Sequence, residues 1–323
     1  MTKFSWRLWT VFFLALLAFA GGPVFANEAS PAEGPWIGPD GKPLPFANGD
    51  EAVAFLRDAE IVARNELSTG INRPLKLTLE KDGIKAHAVF RTVEVKKARF
   101  VTNNNVYIDF EDNHIFECAA YELSRMLEMN NVPPCAPRNY RARQGTVQLW
   151  IEGAMTEEKR RREGLEAPSA VVWARQQQVM RVFDALIRNF DRNQGNILID
   201  EDWKVWLIDH TRSFHRSVKI DRMDKIVWCE KNLWKTLKAL DPDEVRERLD
   251  PFLEKNHIKI MMKRRDKLVA HIEERIQAYG EDAVIFDGSK APSQSVDLSD
   301  IHDLETARSS DDLPQKSKFD NNG

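Results

Sequence analysis

The chain has 323 residues, 42% hydrophobic and 30% charged, which suits one large globular domain or two lobes sharing a cleft. A net charge of −3 excludes charge-driven nucleic-acid binding. Three cysteines, Cys118, Cys135 and Cys229, exclude a disulfide scaffold and show no metal-ligand spacing.

In chain order, Lys3 and Arg7 precede an apolar run from Leu8 to Ala20, and Val24-Phe25-Ala26 puts small residues at the two positions a signal peptidase reads. The run is roughly a dozen residues, short of the ~20 that span a bilayer. Residues 1–26 are therefore expected to be a signal peptide; the alternative is an uncleaved N-terminal anchor, the one membrane contact the sequence suggests. Either way the basic end stays inside and the rest is exported, to a periplasm, an extracellular space or a secretory lumen. Residues 27–50, rich in Pro, Gly and Ala, read as a flexible leader.

"DEAVAFLRDAEIVARNEL" carries Val53, Leu56, Ile61 and Val62 at near-helical spacing behind a cap at Asn48 or Asp50. "PLKLTLEKDGIKAHAVFRTVEV" is two alternating runs joined by Asp82-Gly83, a hairpin signal because type I′ turns need positive φ. "TNNNVYIDF" reads as a loop and a strand. "HIFECAAYELSRMLEM" is a helix with Ile115, Phe116, Ala119, Ala120, Leu123 and Leu127 on one stripe, stopped by Pro133-Pro134. In an oxidising compartment one cysteine pair could form; Cys118, on this helix, reads as a small core residue. "GTVQLWIEG" is a buried strand, "TEEKRRREGLEAP" a solvated insertion, and "VVWARQQQVMRVFDALIRNF" a long amphipathic helix. Helical segments are expected near 221–240, 243–254 and 257–279, with the basic cluster of "MMKRRDKLVAHIEERI" as a solvated face. From about Asp287 the polar tail, residues 287–323, reads as disordered. A sheet-rich lobe over 51–152 is thus followed by a larger helical lobe over 153–286, an α+β architecture.

Between the long helix and the helical end, "NILID" and "KVWLID" read as a hairpin. If Asp200 pairs with Val205, Asn196 falls opposite Asp209, with Cβ atoms roughly 4.5–5.5 Å apart. An amide oxygen and a carboxylate so placed suit a shared Mg²⁺ or Mn²⁺ with phosphate oxygens completing the shell. Asp191 precedes Asn196 by five residues, the spacing of the catalytic aspartate and metal-binding asparagine of protein kinases. The loop also reads as a turn whose Asp191, Asn193 and Asn196 satisfy backbone amides. A calcium loop fails, because Gly195 comes one position early and no glutamate closes it.

"DRNQGN…LIDH" resembles the atypical kinase superfamily that includes phosphatidylinositol 3- and 4-kinases, HipA toxins and secretory-pathway Golgi kinases. Asn193 stands where those families favour histidine, and Asp209-His210-Thr211 stands where a kinase reads Asp-Phe-Gly. "FECAAYELSRMLEMNNVPP" is similar to the Golgi-kinase helix, which gives Glu117 the helix glutamate's role. "TVQLWIE" lies where the adenine-binding linker is expected, making Gln148 a nucleotide contact. The strand lysine has no counterpart; Arg91 stands in for it, with Lys85 on the same strand face as a substitute. His210 and Arg212 read either as substrate contacts or as a polar turn that needs no function. The resemblance implies a two-lobed, kinase-like fold using Mg²⁺ or Mn²⁺ and ATP to phosphorylate a hydroxyl acceptor on a protein, glycan or lipid. Asp191 would be catalytic, Asn196 and Asp209 metal ligands, and Arg91, Glu117, Lys85 and Gln148 nucleotide contacts. The alternative it implies is a catalytically silent scaffold.

Overall fold

The computed structural model describes Gly34 and residues 36–67, 74–101 and 106–288. The expected signal peptide, the first part of the leader and nearly all of the tail lie outside the described residues. The elements run α1 (Gly49–Asp58), β1 (Glu60–Glu66), β2 (Leu75–Lys81), β3 (Ile84–Arg91), β4 (Glu94–Val101), β5 (Val106–Asn113), α2 (Phe116–Met126), β6 (Cys135–Tyr140) and β7 (Arg143–Leu149). Then follow β8 (Met155–Thr156), α3 (Glu157–Arg162), α4 (Ala170–Ile187), β9 (Ile197–Ile199), β10 (Val205–Leu207), β11 (Cys229–Glu230), α5 (Lys231–Ala239), α6 (Pro242–Leu249), α7 (Lys255–Tyr279), α8 (Glu281–Val284) and β12 (Ile285–Phe286). The protein is α+β, with a sheet-rich N-terminal part and a helical C-terminal part.

The main sheet has the order β1-β2-β3-β7-β6. Asp82 and Gly83 both take positive φ and close the β2–β3 hairpin as its dipeptide requires. Alternation assigns the faces of the sheet. Leu77, Leu79, Ala86, Ala88, Phe90, Val147 and Leu149 build one core with Phe55 and Leu56 of α1. Arg91 and Gln148 face the other way, towards α2. A second core joins α2, α4, β9, β10 and α5 to α7.

Several expectations are corrected. The leader is folded from Trp36 onward: Trp36 and Leu44 are buried, and Leu44 N donates to Trp36 O. Asn48 caps α1 by accepting from Glu51 N, but the helix stops at Asp58, and Ile61 and Val62 lie in β1. β-Branched residues at a sheet edge explain the change of period. Within 221–240 the helix begins only at Lys231.

Two basic runs are largely exposed, as expected, but each buries one arginine. Arg160 is buried against Glu157 and lies over the Trp173 ring. Arg264 is fully buried in α7, where Nε donates to Leu186 O and Nη1 to the carbonyls of His215 and Ser217. Burial lowers its pKa to about 9. Three backbone acceptors explain why a charged group is tolerated there.

Candidate functional site

Glu117, fully buried in the first turn of α2, is the hub. Its Oε1 accepts from His210 N at 2.8 Å and lies 3.9 Å from Arg91 Nε. Its Oε2 accepts from Gln148 Nε2 at 3.2 Å and from His210 Nδ1 at 3.0 Å. Gln148 then accepts from Arg91 Nη1 at 3.3 Å. Burial alone would raise the Glu117 pKa; the Arg91 charge and the His210 hydrogen bonds outweigh it and hold it down at about 2. The helix N-terminus favours the carboxylate too. Because Nδ1 donates to Glu117, the remaining ring nitrogen of His210, Nε2, is left buried without a partner.

Cys118 is joined by a disulfide to Cys135, so its expected role as a plain core residue is corrected. Cys135 pairs in register with Gln148. The disulfide and the Gln148–Glu117 hydrogen bond therefore fasten α2 to the same point of the sheet.

Helix α4 ends where Arg188 takes the left-handed conformation, φ 51°, and the chain turns into Phe190-Asp191. The Asp191 carbonyl accepts from Asn193 N, Asn193 Nδ2 and Asn196 Nδ2, while Asp191 N donates to Asn189 Oδ1. Asn193 Oδ1 accepts from Gly195 N. The amides thus fix the backbone of the loop, while the Asp191 carboxylate is held separately by Arg212.

The hairpin register differs from the expected one by a residue. Val205 pairs with Ile199 and Leu207 with Ile197, so Ile208 N, not Asp209, meets Asn196 O. The cause is the turn. Asp200 Oδ1 accepts from Asp202 N and Lys204 N, and Trp203 takes φ 61°, which removes Asp200 from the ladder. Asp209 lies beyond the strand with φ 59°, which re-aims its side chain. Arg192 ties both strand ends together, donating to Asn196 O and Ile208 O from one nitrogen and pairing with Asp184.

Arg212 joins the acidic groups. Its Nε donates to Asp112 Oδ2 at 2.8 Å and its Nη1 to Asp191 Oδ2 at 3.2 Å, with the guanidinium carbon 5.7 Å from the Phe110 ring centre. Burial would lower its pKa, but Asp112, Asp191 and, more weakly, Asp209 raise it. Tyr107 stacks on Phe190 at 4.5 Å beside this cluster; burial first, and then the Asp191 charge, raise its pKa.

The structure brings Arg91, Glu117 and Gln148 into one network and links Asp191 to Asn196 by hydrogen bond. Gln148, assigned to a linker, points into the interior and bridges Arg91 to Glu117, because strand alternation turns it towards α2. Lys85 stays apart. It is exposed beside the hairpin turn, paired with Glu80, and six residues from Arg91, roughly 20 Å along a strand. The sequence reading missed Asp112 and Arg192, and weighed His210 and Arg212 only as substrate contacts or a polar turn, not as partners of Glu117, Asp112 and Asp191. His210 and Arg212 lie one and three residues after Asp209, so position in the chain was the available signal.

No protein-family model matches the sequence, and no curated protein matches it. Solved structures do. The structure of hydra Fam20 with sugar matches with a TM-score of 0.56 at 14% identity, over 75% of this chain and 93% of that one. The Golgi casein kinase matches with a TM-score of 0.54 at 17% identity, over 75% of this chain and 79% of that one. The same kinase with Mn/ADP bound matches with a TM-score of 0.56 at 17% identity, over 77% of this chain and 80% of that one. The chain therefore has a kinase-like fold.

Proposed function

We propose that the chain is an exported phosphotransferase that moves a phosphoryl group from a metal-bound nucleoside triphosphate to a hydroxyl acceptor. One observation carries this reading. Arg91 on β3, Glu117 on α2 and His210, the residue after Asp209, meet in a single buried contact, while Asp191 and Asn196 sit on the adjoining loop. The donor set fits a hard divalent cation, since Asn196 and Asp209 offer amide and carboxylate oxygens. Such an ion would neutralise charge on the phosphates.

The chain's own residues would divide the remaining work. Asp191 positions the acceptor hydroxyl and takes its proton as the oxygen attacks phosphorus. Arg91, held by Glu117 and Gln148, presents its charge to the phosphates. That a Golgi casein kinase binds Mn/ADP in this fold, and that a hydra Fam20 was solved with sugar, support a divalent metal, a nucleotide and a hydroxyl-bearing acceptor here.

A catalytically silent scaffold is the second reading. It is favoured by the absence of a lysine at the Arg91 position and by Arg212, which already neutralises Asp191. A thermal-shift and turnover assay with Mg²⁺ or Mn²⁺ and ATP separates the two: stabilisation with turnover supports the enzyme, stabilisation without turnover the scaffold.

Asp209→Asn is expected to abolish metal-dependent stabilisation by nucleotide, because it removes the charge facing the cation. Its melting temperature without ligands should change little, since Asp209 lies past the strand and bonds only to Thr211 among the hydrogen bonds described. An unchanged metal-dependent shift would remove Asp209 from the site. Export is tested separately. Secreted or periplasmic protein should begin near Asn27, and a soluble cytoplasmic product with Met1 intact would count against it.

A further inference from the structure

We propose that Arg212 is a positioning residue for Asp191, itself set in place by Asp112, so that strand β5 aims the carboxylate that takes the acceptor's proton. The inference rests on the proposed catalytic role of Asp191 and assigns work to two residues which that reading leaves idle.

The arrangement begins in β5. Regular alternation would put Tyr107 on one face of the strand and Phe110 and Asp112 on the other. Asp109 interrupts it by taking φ 53°, which turns the backbone between them. Tyr107, Phe110 and Asp112 consequently all meet the segments around Asp191. Tyr107 stacks on Phe190, the residue before Asp191, at 4.5 Å, and the Phe110 ring lies 6.1 Å from the same Phe190. Beyond Asp112, Asn113 N donates to Thr211 O at 2.8 Å, which sets Arg212 beside Asp112.

The three charged side chains then run from the interior outwards. Asp112 is 3% exposed, Arg212 16% and Asp191 22%. Asp112 Oδ2 accepts from Arg212 Nε at 2.8 Å, and its Oδ1 is buried without a partner. Among the described residues the Asp112 carboxylate therefore has one task, to hold the guanidinium. That group also lies over the Phe110 ring, its carbon 5.7 Å from the centre. A planar fork gripped at Nε presents Nη1 in a fixed direction, and Nη1 donates to Asp191 Oδ2 at 3.2 Å.

Backbone and side chain of the catalytic residue are thus held by different means. The hydrogen bonds with Asn189, Asn193 and Asn196 act on the Asp191 backbone. Arg212 acts on its carboxylate. Such aim matters for proton transfer, since a misplacement of about 1 Å can cost about 10²-fold in rate.

The test is a double-mutant cycle on the full mature chain, read as ADP released from Mn²⁺ and ATP with water as the acceptor. Arg212→Gln is expected to lower turnover roughly 10–100-fold, through loss of aim. The nucleotide-induced shift in melting temperature should stay near wild type, because Arg91 and Glu117 are untouched. In an Asp191→Ala background the same substitution should cost less than about threefold more, because the carboxylate it orients is gone. A residue that merely supports the fold would lower turnover by the same factor in both backgrounds and weaken the nucleotide shift as well. Equal losses in the two backgrounds would overturn the proposal, as would full turnover in Arg212→Gln. Should Arg212→Gln fail to fold, Asp112→Asn takes its place in the cycle. Its amide keeps an oxygen for Arg212 Nε–H but gives up the charge, so turnover should fall roughly 3–10-fold with Asp191 present and hardly at all without it. Equal losses there overturn the proposal too. A wild type without turnover would bring down the phosphotransferase reading and this proposal together, whereas equal losses in an active chain bring down this proposal alone.

Discussion

Asp191→Ala is expected to lower phosphoryl transfer by roughly 10²–10⁴-fold, the usual worth of a positioned general base. The fold should tolerate the change for a specific reason. Asp191 holds its loop through its backbone: its carbonyl accepts from Asn193 and Asn196, and its N–H donates to Asn189. Alanine keeps all of those groups. What it removes is the carboxylate beside Arg212 Nη1, at 3.2 Å. Nucleotide-dependent stabilisation should survive, because Arg91, Asn196 and Asp209 are untouched. Arg91→Ala should do the reverse and weaken nucleotide binding first. The measurements are steady-state turnover and the nucleotide-induced shift in melting temperature for each variant. Full turnover in Asp191→Ala would show that the loop is a turn and nothing more.

Local chemistry was legible in the sequence wherever a short stretch decides its own conformation. Asp82-Gly83 closes its hairpin and Asn48 caps α1 as their side chains require. The helix carrying Glu117 and the Asp191–Asn196 loop were also readable, the first from its stripe and the second from spacing. Long-range geometry was not. The hairpin slip turns on Asp200, whose side chain captures Lys204 N and takes the residue out of the strand. An aspartate at a strand end reads equally well as ladder or turn, and one residue decides which side chains oppose each other. Arg264, Arg160 and His210 failed for a related reason. A charged or polar residue is buried only when partners distant in sequence satisfy it, and those partners, Leu186 O and His215 O for Arg264, follow from the fold alone. Asp112 shows the same limit, since nothing in "VYIDFED" singles it out before Arg212 arrives from 100 residues away.

Glu117→Ala is expected to destabilise the protein by about 3–5 kcal/mol, the cost of breaking a buried charge pair from one side. Arg91 is 12% exposed and His210 is fully buried, so neither recovers through solvent what it loses. The His210 backbone N–H would lose its acceptor as well, at a junction where sheet, helix and the segment after β10 meet. The same interaction sets a pH dependence whose sign is fixed. The folded-state pKa of about 2 lies below the ordinary 4.5, so the stabilisation is fully present above about 4.5 and is lost as pH falls towards 2. Linkage makes that worth about 3 kcal/mol across the window. Urea unfolding between pH 6 and pH 2.5 reads it directly when wild type is compared with Glu117→Gln, which cannot titrate at this position. Glu111 and Glu157 also have lowered pKa values, but they are common to both proteins and cancel in the difference. Wild type should lose more stability than Glu117→Gln as the pH drops, and the gap between them should narrow. Parallel curves would mean that the Glu117 carboxylate is not the charge on which this junction depends.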